Sequence, residues 1–166
     1  APTPPVAEVA PAKEPATAKP DPARVAAVAK IQKSNTGDAF EDSYNYGYRL
    51  WEAKFYPEAQ IALKETVDKY PKHPRASFAR NLLGRAYLDD GKPATSVDIF
   101  LGNYNDDPRG ERAPDSLVYL SVALTRLNEK PKACLVLEEF AEVYPETASG
   151  RLSGKYKDAK AKAGCK

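Results

Sequence analysis

Large apolar, small and polar positions recur along this chain in one pattern with a period of 37 residues. Leu50, Tyr87 and Leu124 form one large apolar track, and Leu63, Phe100 and Leu137 form another. Gly47, Gly84 and Ser121 form a track of small residues, as do Ala59, Ser96 and Ala133. Pro71, Pro108 and Pro145 close each unit, since proline cannot continue a helix interior. The pattern predicts two helices per unit. The first pair runs from Asp38 to about Ala53 and from Pro57 to about Tyr70, opened by a capping box at Asp38 and Glu41. The second covers about Ser77–Asp89 and Pro93–Tyr104, and the third Pro114–Leu127 and Pro131–Tyr144. A last helix over Thr147–Ala163 is expected to cap the stack, with Leu152 and Tyr156 inward and Arg151, Lys155, Lys157, Lys160 and Lys162 in solvent.

The central stretch Asn81-Leu82-Leu83-Gly84-Arg85-Ala86-Tyr87 is followed by Ser96, Phe100 and Pro108. It resembles the signature of the tetratricopeptide (TPR) repeat, with Arg80 in place of the leading Trp. The resemblance implies an all-α solenoid of three helix–turn–helix repeats, at about 38–74, 75–111 and 112–146, with a capping helix at 147–163. A period of 37 rather than 34 implies extra chain between units, where His73-Pro74 and Arg109-Gly110 stand.

Residues 1–33 are a different material, ahead of a domain over 34–166. Seven prolines fall within the first 22 residues, no glycine precedes Gly37 and no aromatic precedes Phe40. Such a segment buries too little to offset its ordering entropy, so it is expected to be a disordered, semi-rigid linker that adds nothing to stability. Only Arg24 to Gln32 could form a helix there, short and fraying.

A net charge of +2 argues against a general nucleic-acid binder. No apolar run reaches the ~18–20 residues of a membrane helix, so membrane insertion is not expected. The chain has no methionine, even at position 1, as expected of a processed or excised product. An enzyme is poorly supplied. The single histidine, His73, lies in a connection and is expected on the surface. Glu138-Glu139 and Asp106-Asp107 are adjacent pairs that do not converge on a helix. No glycine-rich phosphate loop is present, and no cofactor or metal is expected.

Stacked helix pairs curve, and their first helices line the concave side. The candidate partner-binding residues are therefore Tyr44, Asn45 and Tyr48 in the first unit, Asn81 and Arg85 in the second, and Tyr119 and Arg126 in the third. Rings supply contact area with few rotamers to freeze, and Arg and Asn hold peptide carbonyls or carboxylates. Trp51 and Tyr119 have packing between repeats as an equal alternative.

Cys134 and Cys165 allow one disulfide. An antiparallel last helix puts Ala159 level with Cys134, so a bridge requires the chain to leave the helix near Ala163-Gly164 and fold back. Two readings stand: a staple in an oxidising compartment, or a buried, unpaired Cys134 with Cys165 free at a frayed end.

The third unit carries more than the generic repeat. Arg112-Ala113-Pro114-Asp115-Ser116-Leu117, then Leu124, Lys132-Ala133-Cys134 and Val143-Tyr144-Pro145-Glu146-Thr147, resembles the C-terminal domain of the Tol–Pal-associated cell-division coordinator (CpoB) family. Tyr70-Pro71 and Leu83-Gly84-Arg85-Ala86-Tyr87 fit that family's earlier units. The resemblance covers about residues 38–163. It implies a periplasmic, non-enzymatic adaptor that binds TolA and a peptidoglycan synthase complex and coordinates wall synthesis with outer-membrane constriction in division. Family members carry a trimerising coiled coil, but this chain shows no heptads, so a trimer would need a coiled coil upstream. Ser121 and Asn128-Glu129 depart from the family's usual glycine-bearing positions. The alternative is another envelope TPR adaptor, such as the lipoprotein of outer-membrane protein assembly, which would begin with a lipidated cysteine where this chain has Ala1.

Overall fold

The computed structural model of the chain describes residues 19–166, so most of the expected linker, residues 1–18, lies outside the described residues. Nine helices stand among the described residues. They are α1 (Pro22–Ala29), α2 (Ala39–Glu52), α3 (Tyr56–Lys69), α4 (Ala76–Asp89), α5 (Pro93–Asp106), α6 (Ala113–Arg126), α7 (Lys130–Val143), α8 (Pro145–Ser149) and α9 (Ser153–Ala163). The starts of α2, α4 and α6 are 37 residues apart, and so are those of α3, α5 and α7. From α2 to α7 each helix packs on the next, so the protein is an all-α helical-repeat solenoid of the TPR kind.

Each pair closes where a small residue meets a large one. A Cβ on Gly84 would stand 2.5 Å from the Phe100 ring, and one on Gly47 would stand 2.5 Å from Leu63. Phe100 and Leu63 are both fully buried. Ser121 holds the equivalent place in the third pair and turns its hydroxyl back to the Val118 carbonyl at 2.6 Å.

The turn inside each pair is the same backbone motif three times. Lys54, Gly91 and Asn128 adopt positive φ of 64°, 73° and 61°. The next residue's N–H returns to the helix five positions back, at 2.9 Å from Phe55 to Leu50, 2.9 Å from Lys92 to Tyr87 and 2.8 Å from Glu129 to Leu124. This is the Schellman closure, which glycine adopts freely and asparagine tolerates. Lysine has no such licence, so the first turn carries strain of about 1–2 kcal/mol.

The helix starts differ in one detail from the sequence pattern. Asp38 accepts from the Glu41 N–H at 3.0 Å, half of the expected capping box. The Glu41 carboxylate does not reach back; it pairs with Arg75 at the head of the next repeat. His73 also departs from expectation. It is half-buried, stacked on Phe40 at 3.9 Å, with Nδ1 accepting from the Arg75 N–H at 3.1 Å.

Residues 19–33 are the described end of the expected linker. Within that stretch, α1 docks on the first repeat. Asp21 caps it, Arg24 reaches both Glu58 oxygens at 2.7 and 2.8 Å, and its guanidinium lies over the Phe55 ring at 5.2 Å. Val28 and Ile31 pack on the core around Leu50 and Leu63, and Arg49 donates to the Gln32 carbonyl at 2.7 Å. Averaging composition over 33 residues hid this short apolar stripe. No α1 residue is fully buried, which keeps the docking weak.

The expected single capping helix is two pieces. The links between repeats, 70–75 and 107–112, are each six residues, whereas 144–152 is nine and holds α8. The helix stops at Gly150, whose backbone (φ −103°, ψ −120°) is not helical. α9 then packs on α6 and α7. At its end Gly164 turns left-handed at φ 72°, and Cys165 folds back to bridge Cys134 with a Cα–Cα distance of 5.5 Å. Closing 31 residues of chain stabilises the fold by about 3–4 kcal/mol in the chain-entropy account.

Two outcomes follow. Lys54→Gly is expected to raise stability by about 1 kcal/mol, read as a higher urea midpoint at unchanged slope. Hydrogen bonding from Arg24 holds the Glu58 carboxyl below its usual range. A depressed carboxyl contributes stability that is full above the unfolded carboxyl range and is lost as pH falls through its lower folded value. Glu58→Gln is therefore expected to cost about 0.5–1 kcal/mol near neutrality, a difference that shrinks as pH falls below the unfolded carboxyl range. Thermal midpoints of both proteins across that range check it.

Candidate functional site

α2, α4 and α6 are consecutive first helices, and their shared side is concave. With the residues around the start of α9 they line a groove of about 330 Å³. Tyr44, Tyr48, Asn81, Arg85 and Tyr119, from three different repeats, all line it. Their spacing explains this: 44 and 48, and 81 and 85, lie one turn apart on one helix face.

Two candidates stand elsewhere. Asn45 is one residue round the helix from Tyr44, about 100° away, and does not line the groove. Arg126 donates to the Leu88 carbonyl at 2.8 Å and so satisfies the C-terminal end of α4. It borders a separate, smaller cavity with Val122 and Thr125.

Asn81 is buried and belongs to a polar network at the junction of two repeats. Asn103 donates to the Ser116 hydroxyl at 2.8 Å and to the Ser77 carbonyl at 3.2 Å. Ser116 donates in turn to Asn81 Oδ1 at 3.0 Å. Because the Ser116 oxygen already accepts from Asn103, its own hydrogen goes to Asn81, which fixes the Asn81 amide. The amide nitrogen makes no hydrogen bond among the described residues, so it is the half left for a ligand.

Arg85 lies against rings from the repeats before and after its own. Its guanidinium lies 4.5 Å from the Trp51 ring and 4.8 Å from the Tyr119 ring. The Trp51 indole is oriented by Asp89, which accepts its N–H at 2.8 Å. Arg85 forms no hydrogen bond or ion pair among the described residues. Stacking satisfies the faces of a guanidinium but leaves its in-plane donors unmet. Trp51 and Tyr119 thus serve both readings: they pack between repeats, and in doing so they position the arginine.

The groove contains three further cations, of which Arg151 and Lys155 were expected in solvent. Arg112, Arg151 and Lys155 line it together with Asp115. Arg151 holds both Asp115 oxygens, at 2.9 and 2.6 Å, and Lys155 donates to the Tyr119 hydroxyl at 2.8 Å. Arg112 sits 3.7 Å from Asp115 and over the Phe78 ring at 4.4 Å. Phe78 also receives Arg75 at 4.5 Å. The available signal was the four-residue spacing of Arg151 and Lys155, the same offset as Asn81 and Arg85. Burial raises the Tyr44 hydroxyl above the usual phenol range, against the pull of Arg75, Arg112 and Arg85. It therefore stays a neutral donor at physiological pH.

Tyrosine rings, an oriented amide and unmatched cations in a shallow concavity suit binding of an extended chain. The sequence matches no protein-family model, and no curated protein matches it. None of the described helices is long and apolar enough to cross a membrane.

Arg126→Ala is expected to lower stability by about 1–2 kcal/mol, since it strips a carbonyl at the end of α4 of its charged donor. It should leave the groove intact, with Trp51 emission unchanged under native conditions. A shifted emission would tie Arg126 to the groove after all.

Proposed function

We propose that this protein is a non-enzymatic adaptor that binds extended peptide segments of other proteins in its concave groove. The observation that carries this reading is the Arg85 guanidinium, close to the Trp51 and Tyr119 rings and without a hydrogen-bond partner among the described residues. Rigid rings around a poised arginine are the makings of a binding hot spot.

The setting we propose is the periplasm. The Cys134–Cys165 bridge supports an oxidising compartment, because structural disulfides persist there and are rare in the cytosol. The stretches Arg112–Leu117, Lys132–Cys134 and Val143–Thr147, which resemble the Tol–Pal-associated coordinator family, support TolA and a peptidoglycan synthase complex as partners. In that role the solenoid would couple wall synthesis to outer-membrane constriction during division.

Titration calorimetry with the periplasmic part of TolA tests it. Binding is expected, and Arg85→Ala is expected to weaken it by about 1–3 kcal/mol with the circular dichroism spectrum unchanged. An unchanged affinity removes Arg85 from the site. No binding at all by TolA turns the reading to another envelope adaptor.

A further inference from the structure

We propose that the groove selects an internal acidic segment of its partner, with Arg85 meeting a glutamate or aspartate side chain. The proposal rests on the reading of the groove as a peptide site and names the chemistry that site takes. Four cations line the groove, Arg85, Arg112, Arg151 and Lys155, against one anion, Asp115. That imbalance is the complement of an acidic ligand.

Asp115 shows how the groove treats a carboxylate. It is buried, and Arg151 engages it through two parallel hydrogen bonds. This is the fork-to-fork pairing by which arginine reads carboxylates. The groove thus satisfies one carboxylate from within the chain. Arg85 has no such partner among the described residues, although its guanidinium lies against the Trp51 and Tyr119 rings. A guanidinium whose rotamer is already frozen loses little entropy on binding, so its free edge is a preorganised carboxylate receptor. One turn before it, the unpartnered Asn81 amide supplies a neutral donor for a backbone carbonyl of the same segment. Asp89, one turn after it, is directed to the Trp51 indole.

The cations come from α4, the head of α6 and the start of α9. One carboxylate engages neighbouring cations, as Asp115 does with Arg151 and Arg112, but a single chain terminus does not span the groove. Spread over three elements that line the groove, the cations match acidic side chains repeated along an extended segment.

The test uses the full chain and blocked peptides of about twelve residues, with acetylated and amidated ends, alternating glutamate and serine. Emission of Trp51, the only tryptophan, reports groove occupancy, and calorimetry gives affinity. The glutamate peptide is expected to bind about tenfold or more tightly than its glutamine twin, and more weakly as salt rises. Arg85→Ala and Arg85→Lys should both lose that preference, because lysine keeps the charge but not the stacked fork. Lys157→Glu, on the exposed side of α9, should not change it.

Equal binding of the two twins, with Trp51 perturbed by both, overturns the acidic preference and leaves the peptide groove standing. A glutamine peptide with a free C-terminal carboxylate that binds as tightly as the blocked glutamate peptide overturns the internal segment. Equal losses from Lys157→Glu and Arg85→Ala reduce the effect to diffuse attraction and overturn the role of Arg85. If no peptide shifts Trp51, both the inference and the groove reading fall.

Discussion

Close approach of two helices at a small residue is the constraint on which this solenoid depends. At Gly84 the Phe100 ring occupies the space a side chain would take, and at Gly47 Leu63 does the same. Closely packed pairs set the distance between first helices of successive repeats. That distance in turn determines which side chains meet across the concave face. Trp51 and Tyr119 belong to the first and third repeats, yet both reach Arg85 of the second. A few ångströms of slack within any pair would leave the guanidinium with one ring or none.

The second layer of control is polar. Asn103, Ser116 and Asn81 form a directed chain of hydrogen bonds from the second helix of the middle pair to the groove floor. The equivalent of Asn103 in the first pair is Thr66, whose hydroxyl meets Ser43 at 2.5 Å, and in the third pair it is Phe140. Only the middle repeat therefore carries an amide relay at this junction. It orients Asn81, which lies one turn before Arg85 on the groove side of α4. The relay runs from the Asn103 Nδ2 side, while Asn103 Oδ1 stays buried without a partner among the described residues.

The C-terminal end shows how a short change in link length alters a surface. Three residues more between α7 and α9 than between earlier pairs, together with the stop at Gly150, set the placement of the last helix. Leu152 is buried, Tyr156 packs on Phe140 at 5.3 Å, and Arg151 and Lys155 close the groove. The disulfide pins that helix at its far end, so the groove wall is held at both termini of α9.

Much was legible in the sequence alone. The 37-residue period, the small-against-large packing, the three pairs and five groove residues follow from side-chain size repeated at fixed spacing, because helix faces are set by local geometry. Even the fold-back at Gly164 could be counted out from helical rise. Tertiary structure decided what local geometry does not contain. It seated α1 through Arg24, Val28 and Ile31, engaged Arg126 with the end of α4, and turned Arg151 and Lys155 into the groove. It also left Arg85 stacked but unmet. Each of these depends on where one rigid helix lies against another, which link length and long-range packing set together. A charged side chain's partner across 34 to 38 residues of chain is therefore a property of the assembled stack.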